Sequence, residues 1–167
     1  MTALLFFALL GFSCARPSAG PPFQPPAAPT DYRSRLVLYR TDQRDSLATV
    51  TVTIDGRELG RFRNREYETT LLTPGTHILR AGLRGFGFVS WGWNTHRFRV
   101  SAGETTYLEI AVRLDARNAP DTRDLEIAGR QEGTASENVF IVPKSAHAAL
   151  DDLRSTTRLT QGDPTTN

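Results

Sequence analysis

Three histidines, His77, His96 and His147, are the side chains of this sequence best suited to exchange protons or bind a metal ion near neutral pH. A zinc site draws on several His, Cys or carboxylate ligands that meet in space. No acidic or histidine partner stands at a fitting spacing from His77 or His96. The sequence therefore predicts no metal site and no cofactor.

Serine and carboxylate side chains give no catalytic site either. Ser145 and His147 lie two residues apart in a helical stretch, where side chains at that spacing point away from each other. Glu104 and Glu109 fit solvated strand positions as well as they fit a pair of carboxylates for acid–base chemistry. We therefore expect no enzymatic activity. A periplasmic hydrolase is the remote alternative, which a deep pocket holding His77 beside His96 and a carboxylate would support.

Residues 85–93, GFGFVSWGW, carry both tryptophans and two phenylalanines separated by glycines. Phe86 and Phe88 share one parity and Trp91 and Trp93 share the other, which predicts a turn or bulge between the two pairs. Exposed rings on such a loop can stack on sugars, insert at a membrane interface or form a protein-binding hot spot. Alternatively, the flanking strands extend through the segment and the rings close one end of the fold. These four aromatic residues are the candidate binding site.

Cys14 is the only cysteine and directly follows a short apolar run. Residues 3–12 would span about half of a hydrocarbon core of roughly 30 Å, which is typical of a signal peptide. Ser13 resembles the small residue that precedes the cysteine in the lipobox read by lipoprotein signal peptidase. Gly11 departs from that pattern, which favours an aliphatic residue, and no basic residue precedes the run. A secretory signal with an unpaired cysteine is the alternative to lipidation.

Lipidation of Cys14 would anchor the chain to a membrane, because each buried CH₂ contributes roughly 0.8 kcal/mol. Ala15 follows the cysteine, and a residue other than Asp there resembles the outer-membrane sorting signal of Gram-negative lipoproteins. We therefore expect a location in the bacterial cell envelope, on the outer membrane facing the periplasm. The inner membrane stays an alternative.

The charge of the chain gives no reason to expect a nucleic-acid partner. The formal net charge is +2, and the basic residues are almost all arginine, with Lys144 the single lysine. The sequence has no dense basic tract and no recognition helix. With one cysteine it also has no disulfide, so the core alone must hold the fold.

Alternation of apolar and polar residues dominates the middle of the chain and predicts β-strands. Val50, Val52 and Ile54 fall on one face of their strand, and threonines fall on the other. About seven short strands with turn signals between them predict an all-β antiparallel sandwich, Ig-like or transthyretin-like. The predicted strands cover residues 35–40, 48–54, 57–62, 67–72, 76–84, 94–100 and 106–114.

Four residues are assigned to tight turns. Asp55 and Gly56 join two predicted strands, and an Asp-Gly pair is typical of a hairpin. Pro74 and Gly75 occupy the second and third positions of a four-residue turn, as in a type II turn. We expect both glycines to adopt positive φ.

Beyond the sandwich, the sequence predicts a loop, a strand and a short helix. Residues 124–128 are a candidate edge strand within the loop, and residues 138–142 form the next strand. Pro143 is expected to open a helix over residues 145–154, since proline suits a helix start and apolar residues recur at helical spacing.

A Pro-rich segment with little apolar surface to bury precedes the first strand. This segment and the patterns above give the predicted organisation of the chain. The predicted parts are a signal peptide over 1–13, a lipidated Cys14 with a disordered or PPII-like tether over 14–31, a sandwich over 32–115, a loop over 116–136, a strand and helix packed on the sandwich over 137–155, and a disordered tail over 156–167.

Several short motifs together resemble a family of bacterial lipoproteins whose shared domain has no assigned activity. The motifs are LYR at 38–40, VTIDGRELG at 52–60, Tyr67, TPGTHIL at 73–79, AGETTY at 102–107 and IVP at 141–143. The hairpin and the PG turn also resemble PEGA-type domains, small β-sandwiches of bacterial surface proteins. The resemblance covers roughly residues 36–154 and implies a sandwich fold in the cell envelope.

Two functional hypotheses follow. The first is a non-enzymatic, lipid-anchored envelope protein whose sandwich binds an envelope protein or a glycan. The second is a purely structural envelope lipoprotein, in which the aromatic rings of residues 86–93 are buried.

Overall fold

The structure, a computed structural model, describes residues 20–30, 32–42, 49–84, 90–113, 126–127 and 138–159. The predicted signal peptide with Cys14 lies outside these residues, and so do Phe86, Phe88 and most of the loop predicted over 116–136. No helix in the described ranges is long and apolar enough to cross a membrane.

The described residues form two five-stranded sheets and one short helix. The first sheet has the strand order β10-β4-β1-β7-β9, and the second has the order β3-β2-β5-β6-β8. The prediction of an all-β sandwich with a short C-terminal helix is confirmed. The elements are β1 (Ser34–Arg40), β2 (Thr49–Ile54), β3 (Arg57–Phe62), β4 (Glu66–Leu72), β5 (Gly75–Arg84), β6 (Ser90–Val100), β7 (Thr105–Arg113), β8 (Glu126–Ile127), β9 (Asn138–Lys144), α1 (Ala146–Leu153) and β10 (Thr157–Arg158).

The first sheet is mixed rather than purely antiparallel. Its β1 strand pairs antiparallel with β4 and parallel with β7, and β10 pairs parallel with β4. The second sheet is antiparallel throughout its described pairs. Hairpins force neighbouring strands to run antiparallel, but β1 and β7 are joined by the whole intervening chain, so their direction is not constrained in this way.

The main core lies between the two sheets. Val50, Val52 and Ile54 point into it, as their alternation predicts, and Leu108 and Ile110 face them from β7. The side-chain amide of Asn94 in β6 donates a hydrogen bond across the core to the carbonyl of Val139 in β9, at 2.9 Å. This bond and the apolar packing join the sheets into one layered domain.

A second apolar cluster covers the outer face of the first sheet. Val37 and Tyr39 of β1 pack there with Tyr67 of β4, beneath Ala149 and Leu153 of α1. Because α1 covers this face, β1 is buried on both sides, which explains its uninterrupted apolar run over residues 36–39.

The Pro-rich segment departs from the predicted disordered tether at residues 20–23. The Phe23 ring meets the Tyr67 ring edge-on at 5.0 Å between centroids. The backbone amide of Phe23 donates to the Thr156 carbonyl at 3.2 Å, and that of Arg158 donates to the Pro21 carbonyl at 2.7 Å. Phe23 supplies the apolar surface that the neighbouring prolines lack, so this part of the segment docks on the sandwich.

The predicted disordered tail is also wrong at its start. Thr157 and Arg158 form β10 beside β4, and Leu159 is buried in the main core. Leu159 packs against Gly60 of β3, where an added Cβ would lie 2.3 Å from its Cδ2 atom. The single leucine of an otherwise polar tail therefore holds the start of the tail between the two sheets.

The two predicted turns have different outcomes. Asp55 and Gly56 have φ values of 50° and 80° and join β2 to β3, which confirms the hairpin and fits a type I′ turn. Gly75 also has a positive φ, but its value of 146° is far from the roughly 80° of a type II turn. The chain passes here from the first sheet to the second, with a bend at Pro74 and the start of β5 at Gly75, so the two residues form a crossing between the sheets.

Pro143 does not open the helix. It lies inside β9 opposite Leu108, and a proline is tolerated there because β9 is an edge strand of the first sheet. The helix begins at Ala146, after Ser145 caps it by accepting a hydrogen bond from the amide of Ala148 at 3.3 Å.

Candidate functional site

The outer face of the second sheet carries an exposed group of cationic and aromatic side chains. Residues of β5 and β6 that alternate with the core residues point to this face. Arg80, Arg97 and Arg99 are exposed there, and Trp93 lies half-buried among them. We call these four residues the arginine–tryptophan face.

Of the four candidate binding residues, Trp93 is the one whose side chain the structure describes. Its ring lies directly on Gly82 of β5, where an added Cβ would be 2.4 Å from the ring atom Cδ2. The guanidinium carbon of Arg80 lies 5.4 Å from the ring centroid, which is within the range of a cation–π interaction. The ring is therefore outside the main core, on a sheet face rather than at the end of the sandwich.

A β-bulge lies beside Trp93. The pairing of β5 with β6 shifts between Ala81 and Leu83, which pair with Asn94 and Trp91. A bulge re-aims the side chains on either side of it. The shared parity of Trp91 and Trp93 in the sequence therefore no longer implies a shared face.

The arginines of this face stand close together. Register places Ile78 opposite Arg97 and Thr95 opposite Arg80, so Arg97 is a diagonal neighbour of Arg80, at about 7–8 Å. Arg99 follows Arg97 on the same face of β6, about 7 Å further along. No ion pair within the described part of the chain involves Arg97 or Arg99.

His77 belongs to a hydrogen-bonded cluster near the β2–β3 hairpin. Its Nδ1 lies 2.6 Å from Asp55 Oδ2, and its Nε2 lies 2.8 Å from the carbonyl oxygen of Thr73. Asp55 Oδ1 also accepts a hydrogen bond from the amide of Ile78, at 2.9 Å. Both partners of the ring are acceptors, so the geometry suits an imidazolium that donates from both nitrogens.

Burial and the hydrogen bonds of this cluster shift the pKa values of His77 and Asp55. Burial opposes protonation of His77, but its bonds to Asp55 and Thr73 outweigh burial and raise its pKa above the ordinary value. The hydrogen bond from His77, followed by that from Ile78, lowers the pKa of Asp55. Asp55 thus does more than form a turn, because it ties the hairpin to β5 as an ion pair.

The other two histidines are not joined to this cluster. Phe98 lies between His77 and His96, with ring centroids 5.9 Å and 6.1 Å away, and His147 lies on the exposed surface of α1 near Asp151. Across the described ranges, no three or more His, Cys, Asp or Glu side chains are grouped as metal ligands.

A groove of about 290 Å³ lies beside the Pro-rich segment, and neither His77 nor His96 lines it. The groove is lined by Pro21, Pro22, Gln24, Pro26, Tyr67, Thr69 and Arg158.

A polar network under α1 was missed by sequence reasoning. Tyr39 donates to Asp152 at 2.9 Å, and Lys144 lies 2.9 Å from Glu109 and 3.4 Å from Asp152. Burial, then the bond to Asp152, raises the pKa of Tyr39, and the bond to Glu109 raises the pKa of Lys144 against the effect of its burial. The sequence feature that could have indicated this network is Lys144, the single lysine of an arginine-rich chain.

A second buried ion pair lies at the end of β1. Arg40 and Asp42 meet at 2.7 Å, and both side chains are almost fully buried. Arg40 also donates to the Phe62 carbonyl at 3.0 Å, and Asp42 accepts from the amide of Val112 at 2.8 Å. These bonds join β1, β3 and β7, so the pair is a structural link between the sheets.

Comparison of the chain with protein-family models, with curated proteins and with solved structures gives no match in any of the three. The resemblance to the lipoprotein family and to PEGA-type domains therefore stays a prediction.

Proposed function

We propose that this protein is a non-enzymatic, lipid-anchored protein of the bacterial cell envelope that binds another envelope component through the arginine–tryptophan face. The observation that carries the proposal is the Trp93 ring, which lies outside the core and beside exposed arginines. Tryptophan and arginine are the residues most enriched in binding hot spots.

The docked Pro-rich segment supports an anchored arrangement with a defined orientation. Cys14 and Gly20 are separated by five residues, which span at most about 20 Å when fully extended. Residues 20–23 dock at β10 and on the outer face of the first sheet. The arginine–tryptophan face lies on the opposite side of the sandwich, so an anchor at Cys14 would leave it accessible to partners.

Capture of partners from chemically cross-linked, intact envelopes tests the binding proposal. Trp93→Ala should strongly reduce capture, because the substitution removes the ring without removing a core side chain. Tyr32→Ala is the matched control, since Tyr32 is an exposed aromatic residue, at 72%, away from this face. Thermal unfolding should show both variants folded, with Trp93→Ala costing about 1–2 kcal/mol.

The same experiment separates the proposal from a purely structural role. A structural role predicts that Trp93→Ala leaves capture unchanged and costs several kcal/mol of stability, as expected for a buried ring. Unchanged capture with a folded variant would exclude this face as the binding surface.

A further inference from the structure

The three arginines of the arginine–tryptophan face form a like-charge cluster. Like charges about 7 Å apart on one sheet face repel each other, because this distance is shorter than the Debye length of about 8 Å at physiological ionic strength. Within the described residues, Arg80 contacts Trp93, whereas no ion pair involves Arg97 or Arg99. Arg61 of β3, at the edge of the same sheet, differs because it pairs with Glu58 of its own strand at 3.4 Å. An anionic ligand would relieve this repulsion.

We propose that the arginine–tryptophan face binds an acidic polysaccharide, a proposal that rests on the binding function proposed above. Arginine presents a planar fork that binds carboxylate and phosphate groups through two parallel hydrogen bonds. The Trp93 ring offers an amphipathic surface against which the apolar face of a sugar ring can pack. The partly exposed hydroxyl groups of Thr53 and Thr95 lie on the same face and supply neutral hydrogen bonds.

The shape and position of the face favour a polysaccharide over the other anionic partners. The docked Pro-rich segment would place an anchor at Cys14 on the other side of the sandwich, so lipid headgroups of the same membrane would not meet this face. A stable protein interface needs an apolar centre, whereas the large apolar side chains described on this face are Trp93 and Ile78. Single-stranded nucleic acid is bound by series of aromatic rings, and this face presents one described ring.

The test compares two polymers with the same backbone, polygalacturonate and its methyl ester, on the full-length protein in a non-ionic detergent. Polygalacturonate should bind about tenfold more tightly than the uncharged ester, and added salt should weaken its binding. The double variant Arg97→Gln/Arg99→Gln should lose about tenfold in affinity for polygalacturonate while its melting temperature stays equal or rises. Arg33→Gln/Arg63→Gln removes the same charge at exposed positions elsewhere and should change the affinity less than about twofold.

Four results would overturn the inference. Equal losses in the two double variants would show that binding follows net charge alone. Equal affinity for the two polymers, with binding still lost in Trp93→Ala, would show a neutral glycan site, so the proposed function would stand and its acidic ligand would not. Binding of phosphatidylglycerol vesicles that depends on Arg97 and Arg99, without polymer binding, would assign the face to a lipid surface. Absence of both polymer binding and Trp93-dependent envelope capture would reject the proposed function as well.

Discussion

At the scale of single residues, the His77–Asp55 pair shows how a turn residue gains a second role. Asp55 has a positive φ and closes the β2–β3 hairpin, while its carboxylate holds both His77 and the Ile78 amide of β5. The hairpin is thereby fixed to the strand that carries Arg80 on its outer face. The pair is structural, and its pH dependence can be measured.

The raised pKa of His77 gives stability that is present below its unfolded pKa of 6.5 and lost as the pH rises through the folded pKa. The lowered pKa of Asp55 gives stability that is present above its unfolded pKa of 3.8 and lost as the pH falls through the folded pKa. The pair should therefore stabilise the fold most between these two unfolded values. Because the Asp55 side chain is about half exposed, solvent screening limits the coupling to about 0.3–1 kcal/mol.

A double-mutant cycle with Asp55→Asn and His77→Gln measures this coupling from the free energy of unfolding. Asparagine retains the preference for a type I′ turn before glycine, so the substitution removes the charge and leaves the turn. The coupling should be larger at about pH 5.5 than at about pH 8.5. A coupling that does not change between these pH values would contradict an ion pair here.

At the scale of elements, the first sheet is stabilised from outside as well as from the core. Helix α1 and residues 20–23 both cover its outer face, through Leu153 and Phe23. Tyr39 fixes the helix further through its bond to Asp152. The outer face of the second sheet has exposed arginines instead, which leaves it as the side available for binding.

Phe23→Ala should destabilise the protein by about 1–3 kcal/mol, because the ring is partly buried and makes an edge-on contact with Tyr67. Gln24→Ala is the control, since Gln24 is exposed in the same segment and should change stability by less than about 0.5 kcal/mol. Thermal or urea unfolding gives both values. Equal stability of the two variants would show that residues 20–23 do not dock in solution.

The strands that follow a clear alternation, such as β2, were predictable because one face of each is buried. The departures come from long-range contacts. Phe23, Leu159 and Pro143 are each positioned by contacts with residues distant in sequence. Local composition alone therefore assigns Phe23 to a tether, Leu159 to a tail and Pro143 to a helix start. The extension of β6 back to Ser90 was predicted only as an alternative. The sheet face that carries the Trp93 ring was not predicted, since a bulge beside it decides which face the ring joins.

At the scale of the whole molecule, we propose an anchor on one side of the sandwich and a binding face on the other. The proposed anchor depends on Cys14. Cys14→Ser should abolish incorporation of a radiolabelled fatty acid and move the protein from the membrane fraction to the soluble fraction, because it removes the acylated thiol. Ser18→Ala is the control, since it lies four residues after the cysteine and leaves Ser13 and Cys14 unchanged. Membrane association that survives Cys14→Ser without acylation would contradict the lipid anchor.

We propose that Trp93 and its neighbouring arginines bind an envelope component. The most direct measurement is the amount of material captured from cross-linked, intact envelopes by the wild-type protein, Trp93→Ala and Tyr32→Ala at equal abundance. We predict that Trp93→Ala loses about tenfold of the captured material, the effect of roughly 1.4 kcal/mol of binding energy, and that Tyr32→Ala captures as much as the wild type. Equal capture by all three folded proteins would contradict the account.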